Sequence, residues 1–146
     1  MTASVRPRRI LTVCLGNYCR SPFAALVLGV QGGDALEVRS AGLIDKWVGG
    51  PAHPNMVKAA RALDYDLTGH HPAQVDYTLI DWADVVLAMD RSVLERLHDI
   101  GGPQNSDKMR LYLDDGQDVP DPMGKPMQDF TECAAIIEAG AAPHLP

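Results

Sequence analysis

Apolar residues fall into short runs separated by polar turns, and the runs switch between the spacing of strands and that of helices. Ile10–Cys14 (ILTVC) is a compact β-rich stretch that predicts a buried strand. Pro22–Val30 (PFAALVLGV) follows as a helix, with Ser21 as its N-cap and Pro22 at its first position. Leu36–Ser40 reads as a weaker strand. In Asn55–Leu63 the positions Met56, Ala59, Ala60 and Leu63 form a helical stripe. Asp84–Met89 (DVVLAM) predicts a further buried strand, after which Asp90 caps a helix over Arg91–His98. Lys108–Leu113 is expected as the last strand, and Phe130–Ala139 as a closing helix with Ile136 and Ile137 inward. The prolines at 143 and 146 stop that helix. This alternation implies an α/β domain, a parallel sheet covered on both faces with its site at the strand C-terminal ends. The expected organisation is a flexible tail at 1–8, one domain over 9–142 and a short tail at 143–146.

Composition narrows the function classes. With 146 residues, 46% hydrophobic and 22% charged, the chain buries a core of its own as about one domain. No apolar run approaches the roughly 18–20 residues of a membrane span. The net charge is −6, and Arg6, Arg8 and Arg9 precede the first acid, so the remaining body is more acidic still. Such a body repels a phosphate backbone, which argues against nucleic-acid binding. The apolar stretch Ile10–Leu15 is too short for a signal peptide, so a cytoplasmic protein with no membrane partner is expected. Arg6–Arg9 are read as a solvated tail. Three cysteines, Cys14, Cys19 and Cys133, make no disulfide framework. Cys14 and Cys19 have four residues between them and no matching second pair, so neither zinc nor any other metal or cofactor is expected.

The informative segment is Val13-Cys14-Leu15-Gly16-Asn17-Tyr18-Cys19-Arg20-Ser21-Pro22. It runs from a strand through a short loop into a helix N-terminus, where free N–H groups and the positive end of the helix dipole favour an anion. Gly16 lets the backbone curl, and Asn17 tolerates a left-handed conformation. Arg20 is placed to clamp an oxyanion. The same field favours a thiolate at the loop's mouth, which makes Cys14 the candidate nucleophile and Ser21 a hydrogen-bond donor to its sulfur.

CLGNYCRSP resembles the signature of the low-molecular-weight protein tyrosine phosphatases. Arg39-Ser40-Ala41-Gly42, Trp47-Val48-Gly49, Thr68-Gly69-His70, Val85–Asp90 and Asp121-Pro122 follow in that family's order. The resemblance implies a four-stranded parallel sheet flanked by helices, with the phosphate loop between the first strand and the first helix. It also implies metal-free hydrolysis of protein phosphotyrosine through a cysteinyl-phosphate. The phosphate-binding loop would comprise Leu15, Gly16, Asn17, Tyr18, Cys19 and Ser21 around Cys14 and Arg20. Alone, Asp121-Pro122 in a Pro/Gly-rich segment reads as a turn; by resemblance Asp121 is the general acid and base, with Asp118, Asp114 and Asp115 as nearby competitors. Asn17, Ser40, His70 and Asp90 would support the loop, Trp47 would wall the cleft, and Cys19 would be a reversible disulfide partner for Cys14. Cys133 is expected simply to pack.

Several positions depart from the family pattern. Tyr18 replaces the usual small aliphatic residue and adds an aromatic wall, which leans away from the phosphoarginine phosphatases of the same fold. Met123 stands where relatives place an aromatic residue, leaving that wall flexible. His71 stands where an arginine is common, and the His70-His71 pair lacks the third ligand a metal would require. Arsenate reductase shares the loop but uses mid-chain resolving cysteines, and none lies between Arg20 and Glu132. A catalytically weak phosphoprotein- or anion-binding module is the other alternative. Cys14, Arg20 and Asp121 weigh against it, since binding alone requires neither nucleophile nor acid.

Overall fold

The structure, a computed structural model, describes residues 6–146. Its four strands, β1 (Arg8–Cys14), β2 (Leu36–Gly42), β3 (Val85–Ala88) and β4 (Met109–Leu111), form one parallel sheet in the order β2-β1-β3-β4. The helices are α1 (Arg20–Gly32), α2 (Pro54–Ala62), α3 (Tyr77–Trp82), α4 (Arg91–Gly101) and α5 (Met127–Ala139). Period-two alternation along the central strands divides the core. Ile10, Cys14, Val85 and Leu87 pack with Phe23, Val27, Met56, Phe130 and Ile137 from α1, α2 and α5. Leu11, Val13, Val86 and Ala88 pack with Ile80, Val93 and Leu97 from α3 and α4 on the opposite face. Both faces are therefore covered, as parallel strands require. The chain leaves β1 toward β2 on one side and returns to β3 on the other. The crevice between the ends of β1 and β3 is the topological switch point of the sheet.

Two local expectations need correction, and the structure adds one helix that the hydrophobic pattern does not predict. Helix α1 begins at Arg20 with Cys19 as the N-cap residue, so Ser21 lies inside the helix and is not its cap. Pro22 permits this because the first four N–H groups of a helix have no intrahelical partner, so its missing one breaks no bond. The added helix is α3. It is six residues long with only Ile80 fully buried, too brief for a periodicity, and Asp76 starts it by accepting from the Leu79 N–H at 2.8 Å. At the C-terminal end of α5, Ile137 is fully buried while Ile136 packs at the core's margin.

The ends are held by polar contacts. Of the expected tail, residues 1–5 lie outside the described residues; Arg8 already belongs to β1, and Arg6 pairs through both terminal nitrogens with Asp84 at 2.8 Å. Asp84 also accepts the Arg9 N–H, and these bonds hold its carboxyl far below the usual carboxylate range. Beyond α5, the His144 Nε2–H donates to the Tyr112 carbonyl at 2.6 Å and Leu145 packs against the core. The buried Tyr112 hydroxyl donates to the Ile137 carbonyl at 2.6 Å, satisfying one of the C-terminal carbonyls that α5 leaves without a helical partner. Tyr112→Phe is expected to destabilise the fold by about 1–3 kcal/mol, measured by urea unfolding, because that carbonyl is left unpaired in a dry site.

Candidate active site

The loop from Cys14 to Arg20 wraps the N-terminus of α1 at the switch point, and Asn17 is the residue that shapes it. Asn17 is fully buried with φ +53°, a left-handed conformation that asparagine tolerates better than most residues. Its Oδ1 accepts from the Ala73 N–H at 2.9 Å, and its Nδ2 donates to the Ser21 hydroxyl at 2.8 Å. Its carbonyl accepts from the His70 Nε2–H at 2.8 Å. Burial lowers the pKa of His70, and the bond to Asn17 opposes that shift. The chain just past β2 continues the tether: Leu43 N–H donates to the Cys14 carbonyl at 3.1 Å and Ile44 N–H to that of Leu15 at 3.0 Å.

Two glycines matter through what they leave out. A Cβ on Gly42 would lie 2.6 Å from the Asn17 backbone nitrogen, so only glycine lets β2 approach the loop this closely. A Cβ on Gly16 would lie 2.2 Å from Cζ3 of Trp47. The curl expected at Gly16 is thus carried by Asn17, and Gly16 makes room for the tryptophan. Ser40 pairs with Thr12 across the sheet and lines a groove with Pro22 and His70, but no side-chain hydrogen bond joins it to the loop among the described residues. It is Thr12 that reaches in, its hydroxyl donating to the Ser21 carbonyl at 2.8 Å.

Cys14 is buried at the end of β1, its Sγ 3.0 Å from the Ser21 hydroxyl oxygen. Ser21 accepts from Asn17, so its own proton is free to go to Cys14 or, at 3.4 Å, to the Ala41 carbonyl. The buried Arg20 guanidinium donates through Nη1 to Asp90 Oδ2 at 2.8 Å and to the Val119 carbonyl at 2.9 Å. Burial works against its charge, but Cys14, the hydrogen bond to Asp90 and Asp121 outweigh this and raise its pKa. Asp90 also caps α4 through the Val93 N–H at 2.8 Å. Asp121 is exposed at the cleft's rim, with Oδ2 3.7 Å from Arg20 Nη2 and Oδ1 accepting from the Met123 N–H at 3.1 Å.

The competing carboxylates are engaged elsewhere. Asp118 accepts the Arg91 N–H and Asp115 the Gln117 N–H, while Asp114 lines a hollow beyond β4. Cys19 is buried at the start of α1, and burial, then Cys133 and Cys14, push its thiol pKa well up. Cys133 is likewise buried, its thiol pushed up to about 12 by burial. All three cysteines are free. His71 is exposed, and among the described residues no cluster of three or more His, Cys, Asp or Glu is arranged to hold a metal.

Cys14, Cys19, Arg20 and Asp121 meet in a tight slot of about 20 Å³ walled by Leu15, Tyr18, Trp47 and Met123. Trp47 stacks on Tyr18 with ring centroids 4.7 Å apart and planes within 8°, and Lys46 Nζ lies 4.9 Å from the centre of the indole. A roomier hollow of about 570 Å³ beyond β4, walled by Leu94, Leu111 and Pro143, contains none of these groups. Sequence reasoning missed the Ala73 N–H and the Val119 carbonyl, because a backbone group gives no signal in residue identity. It also missed His53, whose only mark was the following proline at the start of α2. Asn17→Ala is expected to cost about 1–3 kcal/mol of stability by urea titration. The substitution leaves the Ala73 N–H unpaired and puts a residue of poor left-handed tolerance at φ +53°.

The family model described as low molecular weight phosphotyrosine protein phosphatase matches residues 9–145. The chain is 34% identical over 134 residues to the low molecular weight protein-tyrosine-phosphatase Wzb of Escherichia coli K12, covering 90% of this chain and 89% of that one. It is also 34% identical over 137 residues to the protein-arginine-phosphatase of Geobacillus stearothermophilus, covering 90% of each. Among solved structures, Vibrio vulnificus Wzb in complex with benzylphosphonate aligns with a TM-score of 0.88 at 28% identity, over 94% of this chain and 96% of that one. The four-stranded parallel sheet, the loop between β1 and α1 and a family match along nearly the whole length agree: the chain belongs to the low-molecular-weight protein tyrosine phosphatase family.

Proposed function

We propose that this chain hydrolyses protein phosphotyrosine through a cysteinyl-phosphate, with Cys14 as nucleophile, Arg20 as oxyanion clamp and Asp121 as general acid and base. The observation that carries the reading is the convergence of Cys14, Arg20 and Asp121 on one slot at the N-terminus of α1. The Cys14 thiolate attacks phosphorus as the ester P–O bond breaks, and Asp121 gives its proton to the departing phenolate oxygen. Asp121 then takes a proton from the attacking water, the S–P bond breaks to release phosphate, and the Ser21 hydroxyl hydrogen-bonds the leaving thiolate. Asn17, His70 and Asp90 keep the loop and guanidinium preorganised for the charge that develops. Ser40 has no such contact and takes no part in this reading.

A second substrate class has a specific motive, the similarity to a protein-arginine-phosphatase. The Tyr18–Trp47 wall favours the aryl ester, since a flat slot stacks on a phenol ring and gains little from a flexible guanidine. A tyrosine-phosphorylated protein is accordingly the proposed partner.

In EDTA, rapid mixing with an aryl phosphate should give a phenol burst that Cys14→Ser abolishes. Asp121→Asn should lower turnover by about 10²–10⁴-fold. Failure of the wild-type protein to turn over an aryl phosphate while binding vanadate would remove the phosphatase assignment. Given a phosphotyrosine peptide and a phosphoarginine peptide in competition, kcat/KM should favour phosphotyrosine; the reverse order would move the chain to the second class.

A further inference from the structure

The cleft wall does not end at Trp47 and Tyr18. Tyr18 meets His53 at 5.0 Å between ring centroids, and His53 in turn meets Phe130 at 4.6 Å. Four rings thus connect the rim of the slot to the core face of α5, and Phe130 is buried. The backbone N–H of His53 donates to the Tyr18 carbonyl at 2.9 Å, and its Nδ1 accepts from the Asn55 N–H at 3.0 Å, capping α2. One residue therefore joins the phosphate loop, α2 and α5.

We infer that His53 is a positioning residue for the substrate cleft, holding Tyr18 and through it the Tyr18–Trp47 wall while its Nδ1 is unprotonated, and releasing that wall when Nδ1 takes a proton. The inference rests on the aryl-phosphatase reading only for its kinetic consequence. Nδ1 has one lone pair, and protonation turns the acceptor of the Asn55 N–H into a second donor facing it. The α2 cap is then lost and the ring is pushed from its place between Tyr18 and Phe130. The groups facing His53 are Tyr18 from the loop, Asn55 from α2 and Phe130 from α5. Only Tyr18 among them is titratable, and burial alone lowers the His53 pKa from its ordinary 6.5. The wall is therefore held above the unfolded-state value, and the hold is lost as pH falls through the lower folded-state value.

The test uses the full chain carrying Trp82→Phe, so that Trp47 is the one tryptophan; Trp82 packs away from the slot, under Arg39. His53→Asn in that background keeps a side-chain oxygen for the Asn55 N–H but has neither the ring nor the proton. Trp47 emission should shift with a midpoint below pH 6.5 when His53 is present and stay flat in His53→Asn. At pH 7.5 the KM for an aryl phosphate should be raised roughly 2- to 12-fold in His53→Asn, the worth of one aromatic contact. The difference should close toward pH 5, as the histidine protein loses its own hold. Comparing the two proteins at each pH cancels ionisation of the substrate and of His70. The inhibition constant of inorganic phosphate, which has no ring to stack, should agree within about twofold at pH 7.5. Identical Trp47 titrations in both proteins, or a KM ratio that does not vary with pH, would overturn the inference. Absence of aryl turnover altogether would instead overturn the phosphatase reading, and the Trp47 titration would still decide the role of His53.

Discussion

A guanidinium buried at the floor of a cleft must be paired, and the architecture is organised around meeting that demand for Arg20. Its side chain crosses from the start of α1 to Asp90, the cap of α4 just past β3, so one ion pair spans the crevice where the sheet reverses direction. Removing one partner of such a pair typically costs about 3–5 kcal/mol, because the remaining charge is stranded. Asp90 is fixed in turn by capping α4, and the Val119 carbonyl on Arg20 is fixed by the Val119 N–H donating to Met89 at 2.8 Å. The cation is therefore presented to the slot without freedom to swing away. That rigidity suits the clamping role proposed for Arg20, since donors already in place do not reorganise as charge develops.

The loop over that floor is held by an equally connected set of neutral groups. Asn17 uses its side-chain oxygen, its side-chain nitrogen and its backbone carbonyl on three different parts of the chain. Gly42 contributes by having no side chain, which allows a strand to run against the loop backbone. Charge and neutral hydrogen bonding divide the work: Arg20 and the helix N-terminus supply the field, and Asn17 supplies the shape. Asp121 stands apart on an exposed turn, tied by one bond to the Met123 N–H and 3.7 Å from the guanidinium. In the proposed reading, a group that gives and later takes a proton needs that access to water, whereas the buried Cys14 and Arg20 are sheltered from it.

Much of this could be read from residue order. A loop built from consecutive residues is legible, because the path from Cys14 through Gly16 and Asn17 to Arg20 is closed by the chain itself. The central strands were legible for a related reason, since burial on both faces leaves a continuous apolar run in Val85–Ala88. Asp90 was readable as a cap from its place before a helix, and resemblance gave it only a loop-supporting part; its pairing with Arg20 across seventy residues came from the structure alone. Ser40 shows the limit of that route: it stands at the expected place in the order, yet no side-chain hydrogen bond joins it to the loop.

The amino-acid sequence by itself determined the fold class, the phosphate-cradling loop and the residue types available for chemistry, because these depend on local spacing and on which side chains carry charge or sulfur. Tertiary structure decided which partners those residues meet. It placed Ser21 inside α1, gave the left-handed turn to Asn17, assigned Gly16 and Gly42 to close approach, and drew Ala73, Val119 and His53 to the loop. Such contacts depend on distances between segments remote in the chain and often on backbone groups common to every residue, so no pattern of side chains along the chain encodes them locally.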